Sequence, residues 1–223
     1  FITTDAAITP GDDEKMRTFP EGTRTVTIQL TVGKVYRIEG LAEDLGTDKL
    51  VAIQNTDHLY RAAESCDLEL PLPNTPGAHT VKCRIWETGT VGFASATATV
   101  SEESGGQGSR LVTISLPRVG GASGKVTGTV RLVPEESTIK SEDGRIIWAG
   151  DTTVEWADGD KNDQEISFIL IDDEFYDPVQ TVVFKLDLSA DSVAGISEGL
   201  DKITVSIRDN DKVAVGRLSI TDS

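Results

Sequence analysis

The 223-residue chain is poor in the groups that most catalysis and membrane insertion require. It has two histidines, His58 and His79, two cysteines, Cys66 and Cys83, and a single methionine. Neither histidine has a triad-like or ligand-like neighbour, so no nucleophile, base and orienting group can be assembled; both are read as surface residues at strand ends. No run approaches the ~20 apolar residues of a membrane helix, which excludes a helical span. Phe1 opens the chain without a basic stretch leading into an apolar run, so no secretion signal is expected in it. No glycine-rich loop follows a strand and opens a helix, which leaves nucleotide binding unsupported. Positive charge is scarce as well: 21 Lys and Arg stand against 37 Asp and Glu, a net charge of −16. Such a surface repels nucleic-acid phosphates and anionic lipid. The cysteines are open to two readings, a disulfide if their Cα atoms approach within about 7 Å, or small core residues.

What the chain does have is a period of two. Thr25 to Leu30, Lys34 to Ile38 and Thr80 to Trp86 alternate polar with apolar, as strands with one buried face do. Leu111 to Ile114, Lys125 to Val133, Ile166 to Ile171, Val182 to Leu188 and Ile203 to Ile207 continue the pattern. Pro10-Gly11-Asp12-Asp13, Pro73-Asn74-Thr75-Pro76-Gly77, Gly120-Gly121 and Asp158-Gly159-Asp160 punctuate it. Many short strands between turn signals predict an all-β protein of two tandem antiparallel β-sandwiches. The best helical segment, Leu59 to Glu64, is short. Residues 1–24, acidic and broken by Pro10 and Pro20, read as an N-terminal arm; residues 25–100 read as a first sandwich and 101–223 as a second. The glycine-rich Ser104 to Ser109 marks the division, while Ser95 to Val100 is assignable to either side. Val213 to Ile220 reads as one more strand.

Acids are not spread evenly. Residues 1–97 hold 14 acids and 9 bases, so 23 acids and 12 bases fall in the remainder, where the acids cluster at strand ends. Five segments there stand in a distinctive order. They are Ser101-Glu102-Glu103-Ser104-Gly105, Arg118-Val119-Gly120-Gly121-Ala122-Ser123-Gly124, Ala149-Gly150-Asp151, Ile171-Asp172-Asp173-Glu174, and Ile207-Arg208-Asp209-Asn210-Asp211. Together, over residues 98–211, they resemble the Calx-β family, whose domains open on an acidic E-x-G strand and continue through an R-x-G-G-x-x-G hairpin and an A-G-x-D loop. An I-D-D-E strand end and a closing I-x-D-N-D complete that pattern.

The resemblance implies a β-sandwich that carries Ca2+ at one end. It implies a site lined by Asp151, Asp172, Asp173, Asp177, Asp209 and Asp211, joined by Glu102 or Glu103, with the Phe175 carbonyl as a backbone donor. Ca2+ takes six to eight oxygen ligands, and a sandwich gathers its loops at its two ends, so acids at several strand tips converge there. Crowded carboxylates repel one another by ~1 kcal/mol or more per close pair at an effective dielectric near 20, and a cation relieves that repulsion. The chain departs from the calcium-sensing pattern at Gln180, where an acid is expected, at Pro178, which interrupts the acidic run, and at Asp151, which follows Gly150 one residue early. The competing reading has the same aspartates capping turns.

These features point to a non-enzymatic structural or adhesive surface module, extracellular or on a cell surface, whose cation stiffens the strand-end loops and the joint between the sandwiches. Its partners would be other protein subunits or surface ligands, in a homo-oligomer or larger assembly. The first half, immunoglobulin-like or jelly-roll in pattern, is loosely similar to bacterial surface proteins and to structural proteins of tailed-phage virions. The first alternative is therefore a virion component, a capsid decoration or tail protein. The second is a carbohydrate-binding accessory module with Trp86, Trp148 and Trp156 as a stacking platform, although tryptophans in β cores more often pack.

Overall fold

A computed structural model describes residues 15–44, 49–52, 59–61, 67–74, 76–102, 108–139, 144–172, 176–177 and 179–211. All regular structure among them is β. The expected strand Val213 to Ile220 and the site residues Glu103, Asp173 and Phe175 lie outside the described residues, as do Cys66 and His58.

The first unit comprises β1 (Lys15–Phe19), β2 (Thr25–Gln29), β3 (Val35–Asp44), β4 (Lys49–Ala52), β5 (Leu59–Arg61), β6 (Asp67–Pro71) and β7 (His79–Trp86). One sheet runs β1-β7-β3-β4 with β5 also on β3, and β2 pairs β6 separately. Alternation does the work here: Val26 and Ile28 point into a core with Phe19, Tyr36, Ile38, Val81, Cys83 and Ile85, while Thr25 and Thr27 face outward. Cys83 is a free thiol, and burial pushes its pKa up to about 11.

Three expectations change in this unit. Lys15 to Phe19, read as arm, is a strand, because β7 offers it a free edge in register from Lys15↔Cys83 to Phe19↔His79. Leu59 to Arg61, the first half of the best helical segment, pairs with Val35 to Arg37 instead, and residues 62–64 lie outside the described residues; sheet pairing overrides a weak helical pattern. His79 is 1% exposed rather than on the surface, since it opens the central strand β7 between β1 and β3.

The second unit comprises β8 (Thr88–Val91), β9 (Thr97–Ser101), β10 (Ser109–Leu116), β11 (Arg118–Gly121), β12 (Val126–Leu132), β13 (Ile146–Ile147), β14 (Thr152–Trp156), β15 (Gln164–Ile171), β16 (Gln180–Leu188), β17 (Gly195–Ile196) and β18 (Lys202–Arg208). A five-stranded sheet, β14-β12-β16-β18-β9, faces a three-stranded one, β10-β15-β13. Between them lies a core holding Trp156, Phe93, Phe168 and Phe184 among many aliphatic side chains. β9 settles the ambiguous segment: it hydrogen bonds to β18, parallel, from Thr97↔Thr204 to Ser101↔Arg208. The division therefore falls earlier than residue 100, because Val91 and Phe93 already belong to the second core and the glycine-rich stretch joins two strands of the same unit.

A small third sheet, β11-β8-β17, closes the end of the second unit nearest the first. Its backbones approach so closely that a Cβ on Gly89, itself at φ +67°, would strike the carbonyls of Val119 and Gly121. Arg118, buried beside it, donates to the Thr88 carbonyl from Nε (3.1 Å) and Nη2 (2.9 Å), and to the Ser123 carbonyl (2.9 Å). The first unit docks here. Arg37 Nη1 donates to the Ser192 carbonyl at 3.3 Å, Lys34 ion-pairs Glu87, and Leu59 fills the space that a side chain on Gly195 would take.

Candidate metal centre

The opposite end of the second sandwich is acidic. Each acid arrives at the tip of a strand. Glu102 extends the β9–β18 ladder one step beyond Arg208, its N–H donating to the Arg208 carbonyl at 3.0 Å. Asp172 directly follows β15, held by its N–H to the Gly108 carbonyl at 3.0 Å. Asp177 precedes β16, and Asp209 and Asp211 follow β18. The strands bring them together because β18 lies between β9 and β16, so the ends of all three meet.

One carboxylate oxygen from each of Glu102, Asp209 and Asp211 lies within 4.8 Å of the others. Asp209 also works as a cap: Oδ1 accepts from the Asp211 N–H at 2.5 Å and Oδ2 accepts from the Asp177 N–H. Asn210 Nδ2 donates to Asp172 Oδ1 at 3.2 Å. The turn-capping reading thus describes part of what Asp209 does, and the convergence of oxygens describes the rest. Burial raises the Glu102 pKa above the usual carboxylate range; Arg145 pulls it back, and Asp209 and Asp172 push it up again.

The oxygens are not all spoken for. Glu102 Oε2 and Asp172 Oδ2 are buried without a hydrogen-bond partner, and the two residues are each only 4% exposed. A buried carboxylate oxygen left so is costly unless something positive meets it. The donor set is all oxygen and anionic, which fits a hard cation such as Ca2+ and suits soft metals poorly.

Of the remaining predicted residues, Asp177 sits at the rim, linked to Asp209 through its N–H. Asp151 stands apart. It is exposed in the bend before β14, and β12 and β16 separate that strand from β18, an offset of roughly 14 Å at ordinary strand spacing. The residue that sequence reasoning missed is Arg145, which ion-pairs Glu102 through Nη2 and Asp177 through Nη1 while only 14% of its side chain is exposed. Its only signal was a lone base within the acidic run Ser141-Glu142-Asp143-Gly144-Arg145.

Two of the three tryptophans, Trp148 and Trp156, pack into the second core. Trp156 is fully buried, Trp148 packs on Phe184 with ring centroids 4.9 Å apart, and Trp86 lies under the Arg84 guanidinium.

No family model and no curated protein sequence matches the chain. Among solved structures, the apo form of the Calx CBD1 domain is similar at 17% identity and a TM-score of 0.43, covering 55% of this chain and 97% of that one. The calcium binding domain CBD12 of CALX1.1 is similar at 18% identity and a TM-score of 0.44, covering 54% and 44%. A glycosyl hydrolase family 2 member from Bacteroides cellulosilyticus matches at 15% identity and a TM-score of 0.26, over 87% of this chain and 28% of that one.

Proposed function

We propose that the second sandwich is a Calx-β-type module that binds Ca2+ through Glu102, Asp209 and Asp211, with Asp172 and Asp177 at its margin, and that the chain serves a non-enzymatic, structural or adhesive role. The observation that carries this reading is the pair of buried, unpartnered oxygens, Glu102 Oε2 and Asp172 Oδ2, at a convergence of carboxylates. A buried carboxylate oxygen without a partner is uncommon and calls for a counter-charge or donor to explain it. The cation would supply charge neutralisation and a tie between the ends of β9, β16 and β18. That tie is at the far end from the joint with the first unit, separated from it by the length of β18, about 23 Å for seven residues. The cation would therefore stiffen the strand-end loops rather than that joint.

An extracellular setting suits a weak site, because calcium modules outside cells fill at about 10⁻⁴ to 10⁻³ M. Partners would be other protein subunits or surface ligands. The test is thermal melting in millimolar CaCl2 and in EDTA, on the wild-type chain and on Asp211→Ala and Glu102→Ala. Calcium should raise the melting temperature of the wild type and leave both variants where EDTA leaves them. Equal wild-type melting in the two buffers would overturn the reading.

A further inference from the structure

The acidic end contains its own cation. Arg145 leads into β13, and its carbonyl accepts the Ile171 N–H at 2.8 Å, so its backbone is fixed beside the end of β15. Its guanidinium reaches two segments at once: Glu102, beyond β9, and Asp177, ahead of β16. Glu102 is also a member of the carboxylate trio, with a side chain only 1% exposed, and the Asp177 N–H donates to Asp209. The same group therefore neutralises one member of the trio directly and steadies a second through Asp177.

A guanidinium presents N–H donors in a planar fork and keeps its charge at every accessible pH, which makes it a permanent occupant rather than a switchable one. It cannot share Glu102 freely with a divalent ion, because two positive centres held within a few ångströms repel strongly where water is scarce. We propose that Arg145 is a tethered competitor for the calcium site: it is the counter-ion of the cation-free cluster, holding Glu102 through Oε1, and its charge opposes the entry of Ca2+ at the oxygens that remain, Glu102 Oε2 among them. This rests on the calcium reading above and adds what sets the affinity of that site. With Arg145 in place the site is weak and fills only at high calcium, while the cation-free domain stays folded because its acids are not left facing one another alone.

The experiment compares the wild-type chain with Arg145→Gln and Arg145→Lys by calorimetric titration with CaCl2 and by melting in EDTA and in saturating CaCl2. Arg145→Gln should bind Ca2+ about tenfold or more tightly than wild type, should melt lower than wild type in EDTA, and should recover in calcium. Arg145→Lys keeps the charge but loses the fork, so its affinity should lie between the two. A merely structural arginine gives a different pattern. Arg145→Gln would then melt lower by the same margin in both buffers, with affinity unchanged or reduced, and that result overturns the proposal while leaving calcium binding intact. Wild-type and Arg145→Gln chains that both fail to bind at millimolar calcium would overturn the proposal together with the reading beneath it. If Arg145→Gln does not fold in EDTA, calcium-dependent refolding of that variant supports the proposal, and its failure to fold in saturating calcium overturns it.

Discussion

Glu102 shows how a residue close to a strand end becomes chemically unusual. The ladder between β9 and β18 carries its backbone one step past Arg208 and buries the carboxylate among other acids. Burial raises its pKa first, Arg145 opposes that, and Asp209 and Asp172 add to it. A carboxyl with a raised folded-state pKa binds more protons folded than unfolded, so its contribution to stability falls as pH rises from the unfolded value, near 4.3, through the folded one. Without calcium, the melting temperature of the wild type should therefore fall relative to that of Glu102→Gln as pH is raised from 4 to 7. Parallel curves for the two proteins would show that burial of this carboxylate is not felt. Calcium should narrow the difference toward the upper end of that range.

At the scale of elements, the legible parts are those where one rule acts alone. β2, β15 and β18 bury every second residue, and alternation in the sequence marks each of them. β8 was not legible. All four of its residues, Thr88 to Val91, are buried, so there is no polar face to set a period, and two of them are threonines and one a glycine. β11 hid in the same way behind Gly120-Gly121, which reads as a turn and proves to be a strand packed against Gly89. β1 was masked by its acidic, proline-flanked surroundings, and only the edge of β7 explains it. The site divides similarly: acids at strand tips announce Glu102, Asp172, Asp209 and Asp211, whereas Arg145 matters through a charge complement that no local pattern encodes. Asp151 lies three strands across the sheet from β18, and that sheet order is what the sequence does not display. The close packing of the third sheet gives a sharp prediction. Gly89→Ala places a Cβ against two carbonyls at a positive φ, and should destabilise the second unit by about 2 kcal/mol or more in urea denaturation. Val119→Ala, half exposed on the neighbouring strand, should change little.

Across the whole molecule, the two ends of the second sandwich have separate tasks. One end is closed by Arg118 and the small sheet and receives the first unit; the other gathers the acids. The chain runs from the first end to the second along β9 and again along β18, and these two strands are parallel neighbours. That arrangement has a mechanical consequence. A pull that drags the end of β18 away from the docked first unit stretches the β9–β18 and β16–β18 hydrogen bonds sideways and all together, rather than opening them one after another as in a zipper. Resistance to force is a matter of unfolding rate, and a barrier that demands many bonds break at once is high. Single-molecule pulling between Thr23 and Asp211 should show the second unit yielding after the first. A second unit that gave way first would mean the load never reaches those strands in shear.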